Sequence, residues 1–273
     1  MRIGRFNLDE RCPAIMGIVN ATPDSFSDGG RFLEPSRAIA RALELESEGA
    51  DIVDIGGESS RPGSEPVSVD EELRRVIPVI EGVRRRSSVP ISIDTTKARV
   101  AARALDAGAE MINDISAARF DPRMLGLAAD RGVPIALMHM KGTPRTMQEA
   151  PRYGDLMAEI GSFLADAMAR AEGAGVARDR LIVDPGIGFG KTVEHNLTII
   201  AHLDELSALK APILIGTSRK AFIGKVLDLE VDERLEGTLA TLAIAVDKGA
   251  SILRVHDVSP ARRFLDMYES LSG

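Results

Sequence analysis

The sequence predicts an α/β fold, a single closed (β/α)₈ TIM barrel spanning residues 1–273 as one domain. Three observations predict it. Eight short apolar runs, rich in Ile and Val and without polar alternation, read as parallel strands buried on both faces. Longer amphipathic segments separate them, which implies right-handed crossovers between parallel neighbours. Nearly every run ends in a side chain that can hydrogen-bond, and in such a barrel those ends gather on one face. An open doubly wound sheet is the alternative that the same alternation permits. A chain of 273 residues is long enough to bury one large core.

In order, the strands are expected at Ala14–Val19, Ile52–Ile55, Ile91–Ile93, Met111–Ile112, Pro134–Met138, Leu181–Val183, Ile213–Ile215 and Ile252–Val255. After the first, Pro35–Gly49 sets Ile39, Ala42, Leu43 and Leu45 along one side and stops at a glycine, a common helix end. After the second, Asp70–Arg86 begins with acids and ends with arginines, matching the helix dipole at both ends. That placement accounts for the basic run Arg84–Arg86 without a binding patch. Asp155–Glu172 spaces Leu156, Ile160, Phe163, Leu164 and Ala167 helically. Glu233–Lys248 is apolar on most sides, as suits a helix against a barrel wall, and Ser259–Leu271 supplies a last apolar helix.

Composition excludes some partners. A net charge of −7 argues against nucleic acid, whose phosphates need a basic face. Cys12 is the only cysteine, so no internal disulfide can form and a reducing compartment is expected. The first residues are charged and lack the apolar stretch of a signal peptide, and no segment suits a membrane helix. A cytoplasmic location follows as the expectation.

The polar strand ends are Asn20, Asp54, Asp94, Asn113, His139, Asp184, and Arg254 with His256. One Asp or Asn after a strand often only caps the next helix, whereas a rim dominated by such residues favours a site. Asp184-Pro-Gly-Ile-Gly-Phe-Gly-Lys-Thr192 is glycine-rich, yet Pro185 stands where a P-loop needs glycine and Lys191 where a dinucleotide fingerprint does. Its glycines let the backbone approach a neighbour, with Phe189 as an apolar wall. Gly56-Gly-Glu-Ser-Ser-Arg-Pro-Gly63 offers hydroxyls, amides and an arginine to an anion. Gly216-Thr-Ser-Arg-Lys220 opens a helix, where amides with Ser218, Arg219 and Lys220 would hold a carboxylate or phosphate. The four histidines lack zinc-protease spacing and there is no G-x-S-x-G elbow, so chemistry without an enzyme nucleophile is expected.

At these residues the chain resembles the dihydropteroate synthase family, over essentially its whole length. The resemblance is carried by Met16-Gly-Ile-Val-Asn-Ala-Thr-Pro-Asp-Ser-Phe-Ser-Asp-Gly-Gly30 and Asp54-Ile-Gly-Gly-Glu-Ser-Ser-Arg-Pro-Gly63 above all. Ser92-Ile-Asp-Thr95, Ile112-Asn-Asp114, Leu137-Met-His-Met140, Asp184–Gly190, Ser218-Arg-Lys220 and Arg254-Val-His256 follow in order. One departure is Ser60, where the family usually has threonine; the hydroxyl is kept.

The resemblance implies a transferase that joins para-aminobenzoate to a pterin diphosphate, with Mg²⁺ and as a homodimer. It implies that Asp184 accepts paired N–H bonds from the pterin, that Asn113 reads an adjacent edge and that Lys220 donates to the ring carbonyl. Asp94 would sit by the pyrazine side; Ser60, Arg61, Arg254 and His256 would hold the diphosphate, with Asn20 helping to hold Mg²⁺. Phe26, Pro62, Phe189 and Ser218 would form the aminobenzoate site. Asp94, Lys220 and Arg61 would carry a dissociative reaction through a pterin cation. A methyltetrahydrofolate-binding methyltransferase, a pterin-binding paralogue without catalysis and a phosphosugar barrel enzyme are the rival readings.

Overall fold

The structure is a computed structural model that describes residues 1–8, 12–22, 33–59, 63–143, 145–147 and 151–272. Eight parallel strands close into a barrel in strict sequence order. They are β1 (Ala14–Asn20), β2 (Ile52–Gly56), β3 (Ile91–Asp94), β4 (Met111–Asp114), β5 (Ile135–Met138), β6 (Leu181–Asp184), β7 (Ile213–Ile215) and β8 (Ala250–Val255). β8 pairs with β1 through Ile252–Ala14 and Arg254–Met16, which completes the ring. Around it lie α1 (Leu33–Ser47), α2 (Val69–Arg84), α3 (Ala98–Asp106), α4 (Arg123–Arg131), α5 (Leu156–Gly173), α6 (Val193–Ala201), α7 (Ala221–Leu227), α8 (Leu235–Asp247) and α9 (Val258–Ser272).

The barrel replaces the open-sheet alternative. Four helices, α3, α4, α6 and α7, were not singled out from periodicity, and each runs only two turns or so. The long amphipathic helices match expectation. α2 starts at Ser68, whose hydroxyl accepts from the Glu71 amide, and three acids occupy its first turn. α5 starts at Asp155, which accepts from the Ala158 amide. Strands β2, β3, β4 and β6 run past their apolar residues to include Gly56, Asp94, Asn113–Asp114 and Asp184.

Strand period explains that extension. Residues such as Ile15, Val53, Ile91, Ile112, Leu137 and Val183 face outward and pack with Ile39, Val79, Ile160 and Leu164 of the helices. The alternate residues Met16, Ile52, Met111, Ala136, Ile182, Leu214 and Ile252 fill the lumen, where Ile3 and Leu8 join them. An antiparallel pairing of Arg2–Ile3 with Phe6–Asn7 brings that N-terminal segment to the barrel floor. Two residues further along the strands, the same inward face carries Asp54, Ser92, Asn113, Asp184 and Arg254. In that layer Ile18 and Met138 stay apolar, so the lumen turns polar on β2, β3, β4, β6 and β8. Among the described residues no helix is long and apolar enough to cross a membrane.

Candidate active site

The polar layer is organised around Arg254. Its Nε donates to Asp54 Oδ2 at 2.6 Å and its Nη2 to Asp94 Oδ2 at 2.7 Å. Asn113 Nδ2 donates to the same Asp54 oxygen at 3.0 Å. Asp54 is fully buried, and its other oxygen, Oδ1, has no hydrogen-bond partner among the described residues. The next strand's Ser92 Oγ, in register with Asp54, is likewise buried and unpartnered among the described residues. Burial works against the Arg254 charge, but Asp54 and Asp94 more than offset it and raise the guanidinium above its ordinary range. Asp94 is pushed up to about 7, first by burial and further by Asp54, with Arg254 opposing.

Across the mouth stands a second pair of opposite charges. Asp184 Oδ1 accepts from the Gly186 amide at 2.7 Å, and burial raises this carboxyl against the pull of Lys220. Lys220 is brought down to about 8 by burial, with Asp184 opposing and Arg254 assisting. Lys220 Nζ donates to the Ile187 carbonyl and lies 4.9 Å from the centre of the Phe189 ring. The loop that carries Phe189 crosses close to β5: a Cβ on Gly186, at φ +70°, would lie 1.9 Å from the His139 carbonyl oxygen. Acceptors, donors and one aromatic wall thus border a buried mouth suited to a flat polar heterocycle.

The family model for pterin binding enzymes matches residues 16–256. A dihydropteroate synthase of Synechocystis is 50% identical over 258 residues, which cover 94% of this chain and 89% of the relative. A solved dihydropteroate synthase of Xanthomonas albilineans with 4-aminobenzoic acid has a TM-score of 0.92 and 46% identity, covering 97% and 94% of the two chains. The enzyme of that organism in complex with 7,8-dihydropteroate has a TM-score of 0.89 and 44% identity, covering 97% and 96%. The chain belongs to the dihydropteroate synthase family.

The structure brings together Asp94, Asn113, Asp184, Lys220 and Arg254, and sets Phe189 beside Lys220. Asn20 ends β1, partly buried, next to β2. Ser60, Arg61, Pro62 and Phe26 lie outside the described residues. Three expectations are corrected. Arg254 does not stand on an open rim: it is enclosed by two carboxylates inside the mouth. Arg219 does not join an anion grip, because its Nε donates to Asp257 at 2.8 Å. His139 follows an inward Met138 and so turns outward, where its ring meets Phe163 of α5 edge-on at 4.9 Å. Ser218 is buried, and its Oγ accepts from the His256 amide at 3.1 Å with His256 Nδ1 at 3.0 Å.

Asp54 is the residue whose part in the site sequence reasoning missed. It was noted as a strand end and given no role, although an acid two residues beyond an inward Ile52 signals a polar lumen. The segment that leaves β2 has a similar unanticipated anchor. Lys97 Nζ holds Glu58, at the segment's base, and reaches Glu72 of α2 at 2.6 Å.

Proposed function

We propose that this chain condenses (7,8-dihydropterin-6-yl)methyl diphosphate with para-aminobenzoate, giving 7,8-dihydropteroate and diphosphate in folate biosynthesis. The observation that carries this reading is the buried carboxylate of Asp184 coupled to the Lys220 ammonium, at the mouth of a barrel of this family whose inward face also carries the Asn113 amide. Asp184 accepts paired N–H bonds of the pterin, Asn113 reads the adjacent edge and Lys220 donates to the ring carbonyl. Asp94 lies by the pyrazine ring. Ser60, Arg61, Arg254 and His256 hold the diphosphate. Phe26, Pro62 and Phe189 flank the aminobenzoate ring, and Ser218 receives its carboxylate.

The carbon–oxygen bond at the pterin methylene breaks first, and its electron pair leaves with diphosphate. Asp94 stabilises the delocalised cation. The neutral arylamine then adds through its nitrogen lone pair and loses a proton to solvent, so no strong base is required. Among the described residues no cluster of three His, Cys, Asp or Glu side chains could hold a metal. The Asn20 amide is a hard oxygen donor, which fits Mg²⁺ held mainly by substrate phosphates. When bound, that ion supplies charge neutralisation on the leaving group. The partners are these small molecules and a second copy of the chain, in the cytoplasm, with neither nucleic acid nor membrane required.

Assay of purified protein for diphosphate release tests the reading. Release that is slow alone and accelerates with para-aminobenzoate, with dihydropteroate formed, is expected. No product with both substrates present overturns the function. Strict dependence on the amine leaves the function standing and replaces the cation by concerted displacement.

A further inference from the structure

Lys191 follows the glycine-rich turn after β6 and is only 3% exposed. Its Nζ donates to the Phe189 carbonyl at 3.0 Å and lies 3.0 Å from His139 Nδ1. Neither partner is an anion, an unusual setting for a buried lysine. Burial lowers Lys191 to about 7, with Lys220 assisting and Asp184 opposing. Burial also drives His139 down to about 2, with Lys191, Arg119 and Lys141 adding to it. The imidazole therefore stays neutral, and a neutral Nδ1 is able to accept from the lysine.

The His139 ring is itself held, edge-on against Phe163 at 4.9 Å and tilted against Tyr153 at 6.1 Å. Tyr153 in turn donates from its hydroxyl to the Gly190 carbonyl at 2.8 Å. Gly186 rests on the His139 backbone, where a side chain would clash. The turn is thus clamped to the end of β5 at three places. What it projects from the clamp is Phe189, whose ring lies beside Lys220.

We infer that Lys191 is a positioning residue: by tying the Phe189 carbonyl to the His139 ring it sets the angle of the Phe189 ring that walls the arylamine subsite. The inference rests on the assignment of Phe189 to that subsite. A lysine that only braced the core would lower stability and leave the Michaelis constants of the folded enzyme unchanged. A lysine that sets the Phe189 ring acts on one substrate more than on the other.

The test is a double-mutant cycle of Lys191→Met and Phe189→Ala, with Michaelis constants measured for each substrate. Lys191→Met keeps the aliphatic chain and removes the donors. It is expected to raise the aminobenzoate constant about tenfold while the pterin diphosphate constant moves less than about twofold. Added to Phe189→Ala, it should have little further effect, because its target is already gone. An unchanged aminobenzoate constant in Phe189→Ala removes the subsite assignment, and this inference with it. A rise in Phe189→Ala with none in Lys191→Met, or with full additivity, overturns the inference alone. If Lys191→Met does not fold, His139→Leu and His139→Asn read the same clamp from the other side. The leucine variant should raise the aminobenzoate constant and the asparagine variant, which keeps an acceptor, should restore it; equal values overturn the inference.

Discussion

Asp184 is a buried carboxylate that accepts from the Gly186 amide, and a carboxylate has acceptor capacity beyond one such bond to offer whatever enters the mouth. Asp184→Ala should weaken a pterin analogue by roughly 10- to 100-fold, the cost of leaving buried donors unpaired. Asp184→Asn should be nearly as poor, since an amide exchanges one acceptor for a donor. Calorimetric titration decides; affinities within about threefold of the parent remove Asp184 from the pocket. The pH profile is a second residue-scale outcome. Asp94, raised to about 7, gains its charge as pH rises, while Lys220, lowered to about 8, loses its own. Turnover should therefore climb through about pH 7 and fall above about pH 8, as apparent values of a coupled cluster. Asp94→Asn should remove the acid limb; a limb that persists assigns it elsewhere. Stability runs the other way. The folded Asp94 value lies above the unfolded one, so its contribution is present below about pH 4 and is lost as pH rises through about 7.

Strand β8 shows how one element serves both fold and site. Its residue Arg254 reaches β2 and β3, 200 and 160 residues away in the chain, through Asp54 and Asp94. A strand-end arginine on an open rim is expected to be removable with little change in melting temperature. For Arg254 the structure reverses that expectation, because its loss strands the buried Asp54 charge. Arg254→Ala should cost about 3 kcal/mol, the low end for breaking a buried pair, since the guanidinium keeps some exposure at the mouth. Melting should drop by roughly 6–12 °C. Adding Asp54→Asn, which removes the stranded charge, should recover part of it. Calorimetry checks both, and a drop below about 2 °C for Arg254→Ala would mean that Asp54 finds water instead.

Apolar surface remains uncovered on the outside of the molecule. Ile244 of α8 is 48% exposed, and Met267 and Leu271 of α9 are 58% and 75% exposed. The apolar character of these two helices suits either core packing or a dimer contact. Core packing accounts for Leu242, Ala245, Ala261 and Leu265, which point inward, while Ile244, Met267 and Leu271 point to solvent. A homodimer through α8 and α9 would bury them. Sedimentation at micromolar concentration should give twice the chain mass, and Ile244→Glu with Met267→Glu should shift the protein to monomer. A parent that is monomeric throughout ends the dimer reading.

Strand positions, the long helices and the polar rim were legible in the sequence because they follow from local periodicity. An Ile- and Val-rich run declares a buried strand, and the acid after it declares where the lumen turns polar. Short helices such as α3 and α4 were not legible, since two turns leave too few residues for a period to emerge. Partner choice was not legible either. Asp54 and Asp94 share Arg254, Arg219 joins Asp257, and Lys191 meets His139 across 52 residues. Each pairing depends on barrel closure and strand register, which bring distant residues within 3 Å or so. Sequence by itself determined which chemistry the rim could offer; only closure of the barrel decided which of those groups hold one another and which are turned toward a ligand.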